Sequence, residues 1–481
     1  MDNSFLISAL HKLFHGSRVT RRMLVPVIRK YLHYQLVHDN PFGRPAQVQQ
    51  HKYYLLKGML GSVLRNLDKG YVDPEVMSRL IQTFVQNTVL HEDTNALEQF
   101  QERYGMAPPA FVTISPTQLC NLRCTGCYAA SDHSTWAKLP YETVHRILRE
   151  IHDEWGARFA VISGGEPLAY SDGGRGILDV VADFPNMFFL MYTNGTLITE
   201  RVARRMAELG NITPSISVEG YQAETEQRRG NGAWAKIQSG ITHLKGAGVP
   251  FGISITGTRG NAGLLSGDKI YDYYFQEVGA SYLWIFQYMP IGRGVDTELM
   301  PTPEQRLAMF RTWQRVVRSR EYFVADFWNA GISADGCIAY GRPGGYVYID
   351  WNGNIMPCVF VPYYKDNILD VYEQGGTLTE ALFSDFFCQG REWQFQYGYD
   401  GNGTTRNWLA PCSIRDHYRE HLERIRSSTN IMPEDENAAV ALTDPDYQRK
   451  MKEYDEQYLA LTNPIWKREF LEAQESAETP V

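Results

Sequence analysis

At 481 residues, 43% apolar and 13% aromatic, the chain is long enough for two to four domains and too apolar for disorder. It holds no run of eighteen uncharged apolar residues and no h-region with a cleavage site, so neither a membrane-spanning helix nor a signal peptide is expected. The net charge of −8 is uneven: residues 1–66 carry ten Lys or Arg against Asp2 and Asp39, a local +8, and the remainder carries −16. Such a front either meets an anionic surface or packs as a basic helical layer on an acidic body of the same chain. No nucleic-acid partner is expected.

Residues 1–108 read as a helical domain, with Leu6, Ala9, Leu10 and Leu13 at helical spacing. Pro26 and Asn40-Pro41-Phe42-Gly43 are expected to interrupt it, and Ala107-Pro108-Pro109 to close it. From 109 to 325 the pattern alternates. Strand-like runs at Phe111–Ile114, Phe159–Ile162, Phe188–Tyr192, Ile212–Val218, Phe251–Ile255 and Tyr282–Tyr288 are separated by amphipathic stretches such as Tyr141–Trp155, Glu200–Leu209 and Trp234–Leu244, and Pro303–Val317 follows the last. Parallel strands with crossover helices follow from this alternation, and ligands then belong at the C-terminal strand ends. In residues 326–430 the pattern changes: Tyr346–Asp350 and Ile355–Phe360 flank Trp351-Asn352-Gly353-Asn354, a hairpin signal. Residues 431–481 read as a charged helical tail. The fold class is thus α/β, an open sheet or a partial barrel of six β/α units, between a helical N-terminal domain and a small C-terminal one.

Seven cysteines, at 120, 124, 127, 337, 358, 388 and 412, suit a reducing compartment, and the chain is expected to be cytoplasmic. Three of them fall within eight residues, Cys120-Asn121-Leu122-Arg123-Cys124-Thr125-Gly126-Cys127, right after the first strand. Such crowding suits metal or cluster ligation better than disulfides. The alternatives are a cubic iron–sulfur cluster with one open iron and a zinc ion completed by His133. One strand later stands Ser163-Gly164-Gly165-Glu166-Pro167, where glycines would let the backbone approach a ligand, and exposed carbonyls and the Glu166 carboxylate would accept from an ammonium group.

CxxxCxxC after the first strand and GGEP after the second resemble the radical S-adenosylmethionine (radical SAM) superfamily. The resemblance implies a partial (β/α)6 barrel, a [4Fe–4S] cluster on Cys120, Cys124 and Cys127, and S-adenosylmethionine chelated at the open iron. It implies cofactor contacts from Tyr128, Gly164, Gly165, Glu166, Pro167, Ser217, Glu219 and Arg228, with Arg229, Ser254 and Thr256 nearby. It also implies an electron donor such as flavodoxin or ferredoxin. One departure is Gly126, where many members carry an aromatic; Tyr128 is expected to take that part.

Cys337, fifteen residues, Gly353, four residues, Cys358 resembles the opening half of the SPASM auxiliary-cluster pattern. Its dense continuation is absent, and only Cys388 and Cys412 follow. The resemblance therefore implies one auxiliary [4Fe–4S] cluster, with Cys388, behind Phe386-Phe387, the weakest ligand. A disulfide between Cys337 and Cys358 is the alternative, disfavoured by compartment. Expected activity is hydrogen abstraction from an unactivated C–H bond by a 5′-deoxyadenosyl radical. The substrate is expected to be a lipid or lipid-linked molecule reached through residues 1–66 at the inner face of an anionic membrane. The alternatives are a ribosomal peptide under maturation and a non-enzymatic iron–sulfur sensor.

Overall fold

The computed structural model describes residues 9, 12–13, 16–84, 94–398 and 406–472. Leu6 and Leu10 lie outside them, while Ala9 and Leu13 are buried. Among the described residues, the N-terminal layer is built on the helices α1 (Arg18–His33), α2 (Ala46–Asp68), α3 (Pro74–Gln82) and α4 (Thr94–Tyr104). Ser17 caps α1 through its hydroxyl, 3.2 Å from the Thr20 amide. Contrary to expectation, Pro26 does not interrupt the helix; α1 runs through it. Pro26 is solvent-exposed, so water can satisfy the carbonyl one turn back that has lost its donor. The Asn40–Gly43 break is a turn as expected, closed by Gly43 N–H to the Asn40 carbonyl at 3.1 Å.

Much of the basic front is engaged within the chain. Arg29 and Lys57 grip Glu321 at 2.5 and 3.0 Å, and Arg44 and Lys52 grip Asp335 at 3.4 and 2.7 Å. These pairs fasten the helical layer to the main body, as the packing alternative requires.

The body is organised on one ten-stranded sheet. Its strands are β1 (Phe111–Ile114), β2 (Phe159–Ile162), β3 (Phe188–Thr193), β4 (Ile212–Val218), β5 (Gly252–Gly257), β6 (Tyr282–Gln287), β7 (Val324–Asp326), β8 (Tyr346–Ile349), β9 (Asn354–Met356) and β10 (Asp366–Asn367). Their spatial order is β10-β9-β8-β1-β2-β3-β4-β5-β6-β7, parallel from β8 through β7 and antiparallel at β9 and β10. Strands β1 to β6 are adjacent in chain order, the winding of a barrel rather than of a doubly wound sheet, and the sheet stays open at β7 and β10. Helices α5 (Tyr141–Asp153), α6 (Ile177–Asp183), α7 (Glu200–Leu209), α8 (Gln222–Arg229) and α9 (Ala233–Gly246) fall between β1 and β5, and α10 (Pro303–Arg320) lies between β6 and β7. The capping box at the start of α10 joins Thr302 and Gln305 reciprocally, and Pro303 occupies the same first turn.

Two features extend the expectation. Val324–Asp326 adds a seventh parallel strand, and the hairpin β8–β9 attaches to the free edge of β1. The hairpin turn is held by the Asp350 carboxylate, which accepts the Asn352 and Asn354 amides at 2.9 and 2.8 Å. Residues 327–345 therefore run from β7, at one edge of the sheet, to β8 beside β1. The later helices α11 (Asp385–Gly398), α12 (Tyr418–Ser427) and α13 (Pro445–Trp466) complete the shell, α13 in the tail read as helical.

Candidate functional site

The cysteine loop leaves β1 at the C-terminal edge of the sheet and is held by its neighbours. From β2, the amides of Gly165 and Glu166 donate to the carbonyls of Thr117 and Leu119, both at 2.8 Å. A Cβ on Gly165 would stand 2.3 Å from the Gln118 carbonyl oxygen, and one on Gly164, at φ +125°, 2.7 Å from that of Thr117. The two glycines thus make room for the chain's own cysteine loop.

Glu166 is also placed differently from expectation. It is fully buried, and its carboxylate accepts from Thr193 Oγ1 and the Asn194 amide, both at 2.7 Å, and from the Leu168 amide at 3.1 Å. Burial raises its pKa, opposed by these three bonds. With its acceptors committed, it ties the β2 end to the β3 end. Of the motif's carbonyls, that of Gly164 takes the Tyr128 hydroxyl at 3.3 Å, and those of Glu166 and Pro167 take the Ala169 and Tyr170 amides at 2.9 and 3.1 Å, so among the described residues only the Gly165 carbonyl is left for an ammonium group. Pro167 is buried and opens the short turn that Glu166 caps. Tyr128, next to Cys127, reaches Ser163 Oγ at 2.8 Å, and its hydroxyl accepts the Gly164 amide at 3.2 Å. Burial pushes that phenol up to about 12.

Glu219, at the β4 end, is 2% exposed and pairs with Arg228 at 2.6 Å and Arg229 at 2.5 Å. Arg228 also donates to Thr256 Oγ1 at 3.0 Å and to the Gly126 carbonyl at 3.2 Å, inside the cysteine loop. Arg229 sits 4.0 Å from Cys124 Sγ. Burial opposes its charge, but Glu219 and the thiols of Cys124 and Cys127 outweigh burial and raise its pKa. Ser217 Oγ lies 3.2 Å from Ser254 Oγ on the inner face of β4 and β5. Gly126, at φ +61°, has Tyr288 Cε2 2.6 Å from where its Cβ would be. The missing aromatic side chain is explained: the Tyr288 ring, from the β6 end, already fills that space.

The three thiols lie close enough to perturb one another, and burial pushes Cys120 up to about 12. Cys120 Sγ receives the Leu122 amide at 3.4 Å and Asn194 Nδ2 at 3.8 Å, while Arg229 faces Cys124. Donors and a cation aimed at sulfur fit an anionic, thiolate-held iron–sulfur cluster. A zinc ion would need thiolates and His133 converging at about 2.0–2.3 Å from one point. His133 is exposed, and among the described residues no three His, Cys, Asp or Glu side chains converge on a single ion position.

The second set gathers Cys337, Cys358 and Cys412, each within electrostatic reach of the others. Tyr346 donates its hydroxyl to Cys358 Sγ at 3.0 Å, and the Phe360 amide adds a contact at 3.4 Å. Burial pushes the Cys358 thiol up to about 12. Cys388 is not brought into this set: it lies exposed on α11, with Arg391 at 3.3 Å.

Rings join the two sets. Tyr128 lies 6.4 Å from Phe360, two residues past Cys358, and Phe360 packs on Trp328, Phe327 and Phe286 at 4.6, 5.5 and 6.1 Å. Phe286 continues to Tyr192 at 5.2 Å and stacks with Trp284 at 6.2 Å. The strand-end Tyr192-Thr193-Asn194-Gly195 reads from the sequence as a plain turn, yet Asn194 reaches both Glu166 and Cys120. Arg229's sulfur contact, Tyr288 and this aromatic wall carried no signal in the sequence.

In comparisons with known proteins, residues 114–262 match the family described as Radical SAM superfamily. The chain is 30% identical over 298 residues to the mycofactocin maturase MftC of Mycobacterium ulcerans, covering 60% of this chain and 76% of that protein. It is 26% identical over 288 residues to the AdoMet-dependent heme synthase of Methanosarcina barkeri, covering 54% and 79%. A solved structure of Streptococcus suis SuiB bound to precursor peptide SuiA aligns at 17% identity and TM-score 0.48, covering 62% of this chain and 70% of that one.

Proposed function

The chain belongs to the radical SAM superfamily, and from that membership we propose that it abstracts a hydrogen atom from an apolar segment of its substrate held between its two cysteine sets. The family's [4Fe–4S] cluster and S-adenosylmethionine supply the reducing electron and the 5′-deoxyadenosyl radical when bound. Cys120, Cys124 and Cys127 hold that cluster in this reading, with Arg229 and Asn194 offsetting thiolate charge. The Gly165 carbonyl of the GGEP turn accepts the cofactor's ammonium group, and Tyr128 fixes the turn's position. Arg228, Glu219 and Ser217 border the cofactor on the β4 side.

Cys337, Cys358 and Cys412 hold one auxiliary [4Fe–4S] cluster, which leaves one of its irons without a protein thiolate. Cys388 is not among its ligands. The observation that carries the substrate reading is the aromatic wall between the sets. Tyr192, Trp284, Phe286, Phe327 and Phe360 offer an uncharged surface that suits an apolar segment and keeps water from a radical. The four-part division at 108, 325 and 430, and a flavodoxin or ferredoxin as electron donor, belong to the same proposal. A peripheral site at the inner face of a membrane is also part of it; among the described residues no helix is long and apolar enough to cross one.

A second reading, a peptide substrate, draws support from the relatives named as maturases. The test is anaerobic turnover with reductant and cofactor against lipid extracts and hydrophobic peptides, read by mass spectrometry. A product altered on a hydrocarbon chain supports the lipid reading, and one altered at a peptide's apolar side chain supports the second. Alteration at a charged group refutes both. Iron should number about eight per chain, about four after Cys120, Cys124 and Cys127 are all replaced by Ala, and about eight after Cys388→Ala.

A further inference from the structure

Helix α1 is apolar on two sides. Inward, Ile28 and Tyr31 are buried against Leu60, Val63 and Leu67 of α2. Outward, Val19, Met23 and Val27 recur every four residues, one stripe of a helix, and are 64%, 64% and 42% exposed. Tyr34, just past the helix end, continues the stripe at 61% exposure, and Phe42 on the next turn is 76% exposed. A surface helix ordinarily turns polar groups outward, so a second apolar face needs an occupant.

Charge says which. Beside this stripe, between α1 and α2, lies a cleft of about 610 Å³ lined by Arg18, Arg21, Arg22, Arg65 and Lys69, with Asp68 the one acidic residue among its lining groups. Asp68 takes Arg21 at 2.6 Å and Arg18 at 3.8 Å, and Arg65 and Lys69 donate to the carbonyls of Glu321 and Gln276. Backbone carbonyls leave the positive charge uncancelled, so the cleft keeps a surplus of four. Among the described residues the side chains of Arg22 and Lys30 have no hydrogen-bond or ion-pair partner, and Lys30 stands within the exposed stripe.

We infer that this face of α1 docks on an anionic phospholipid bilayer, with Val19, Met23, Val27 and Tyr34 entering the acyl boundary and the basic cleft taking headgroup phosphates. An apolar stripe bordered by cations that snorkel to the surface is the physical requirement for such binding. The inference deepens the proposed placement at a membrane face. It does not depend on the radical chemistry, because vesicle binding reads only this face and deoxyadenosine formation reads only the cysteine sites.

The test is sedimentation of the full chain, clusters in place, with phosphatidylcholine vesicles and with vesicles containing phosphatidylglycerol. Binding should require the anionic lipid and fall as salt rises. Arg22→Gln with Lys30→Gln should weaken it roughly 25-fold, about fivefold per charge. Met23→Ser with Val27→Ser should weaken it comparably while leaving thermal stability and deoxyadenosine formation unchanged, since both side chains face solvent. Equal binding to neutral and anionic vesicles overturns the inference. So does a chain that binds neither, or one whose exposed stripe instead makes a lipid-free dimer that the Met23→Ser, Val27→Ser variant dissociates. Displacement by inorganic phosphate beyond that by chloride at equal ionic strength would assign the cleft to a free anion and also overturn it.

Discussion

Replacing Gly165 with Ala tests what the GGEP glycines are for. The added methyl would lie 2.3 Å from the Gln118 carbonyl oxygen and 2.4 Å from that of Leu119, where ordinary contact begins near 3.4 Å. These are backbone atoms, so the cysteine loop must retreat by about 1 Å. That retreat stretches the 2.8 Å bonds from the Gly165 and Glu166 amides beyond hydrogen-bonding range. Overpacking costs about 1–3 kcal/mol, and two lost bonds about 1–3 more, together roughly 2–6 kcal/mol borne by the loop. This amounts to roughly one and a half to four decades in the closed-loop population. Anaerobic reconstitution should therefore leave the variant short of the first cluster's about four irons while it keeps the second set's. Gly246→Ala, where a Cβ would meet nothing within 4 Å, is the neutral control. Full iron content with cofactor cleavage lost would refute the reasoning, because the glycine would then be making room for a ligand. Full iron and full cleavage would show that the loop tolerates the shift.

Glu219→Gln leaves the Arg228 and Arg229 guanidinium groups, 15% and 8% exposed, without their counter-charge. A loss of about 3–5 kcal/mol is expected, visible as a lower urea midpoint, and a change under about 0.5 kcal/mol would contradict it. His51, stacked on Trp313 at 5.6 Å, is held near pKa 4 by burial, with Arg318 adding to the effect. Because the folded value lies below the ordinary 6.5, the unfolded chain takes the proton first. Stability is then full above about pH 6.5 and falls by about 3 kcal/mol as pH drops toward 4. His51→Phe should flatten that part of the stability profile, and an unchanged acid limb would rule the histidine out as its source.

Local spacing and periodicity made the catalytic half of this protein legible. CxxxCxxC and GGEP each lie within one loop, and the alternation of strand and helix marks the six units that carry them, so short-range pattern suffices. Pairing across the sheet does not show in such patterns. Glu166 meets Thr193 and Asn194 only because β2 and β3 lie side by side, and the cysteine loop accepts Gly126 only because Tyr288 arrives from β6. The same holds for the second set. Along the chain Cys388 stands out only as the weakest of four candidates, but the β8–β9 hairpin and the segment before α12 turn Cys337, Cys358 and Cys412 inward, while the path of α11 leaves Cys388 in solvent. Charge divides in the same way. Composition reveals a +8 front, but only packing decides that Arg29, Arg44, Lys52 and Lys57 are satisfied by Glu321 and Asp335 while Arg22 and Lys30 face outward. Residue types and their near neighbours set the chemistry available, and contacts between residues hundreds of positions apart, closed by burial, select which groups exercise it.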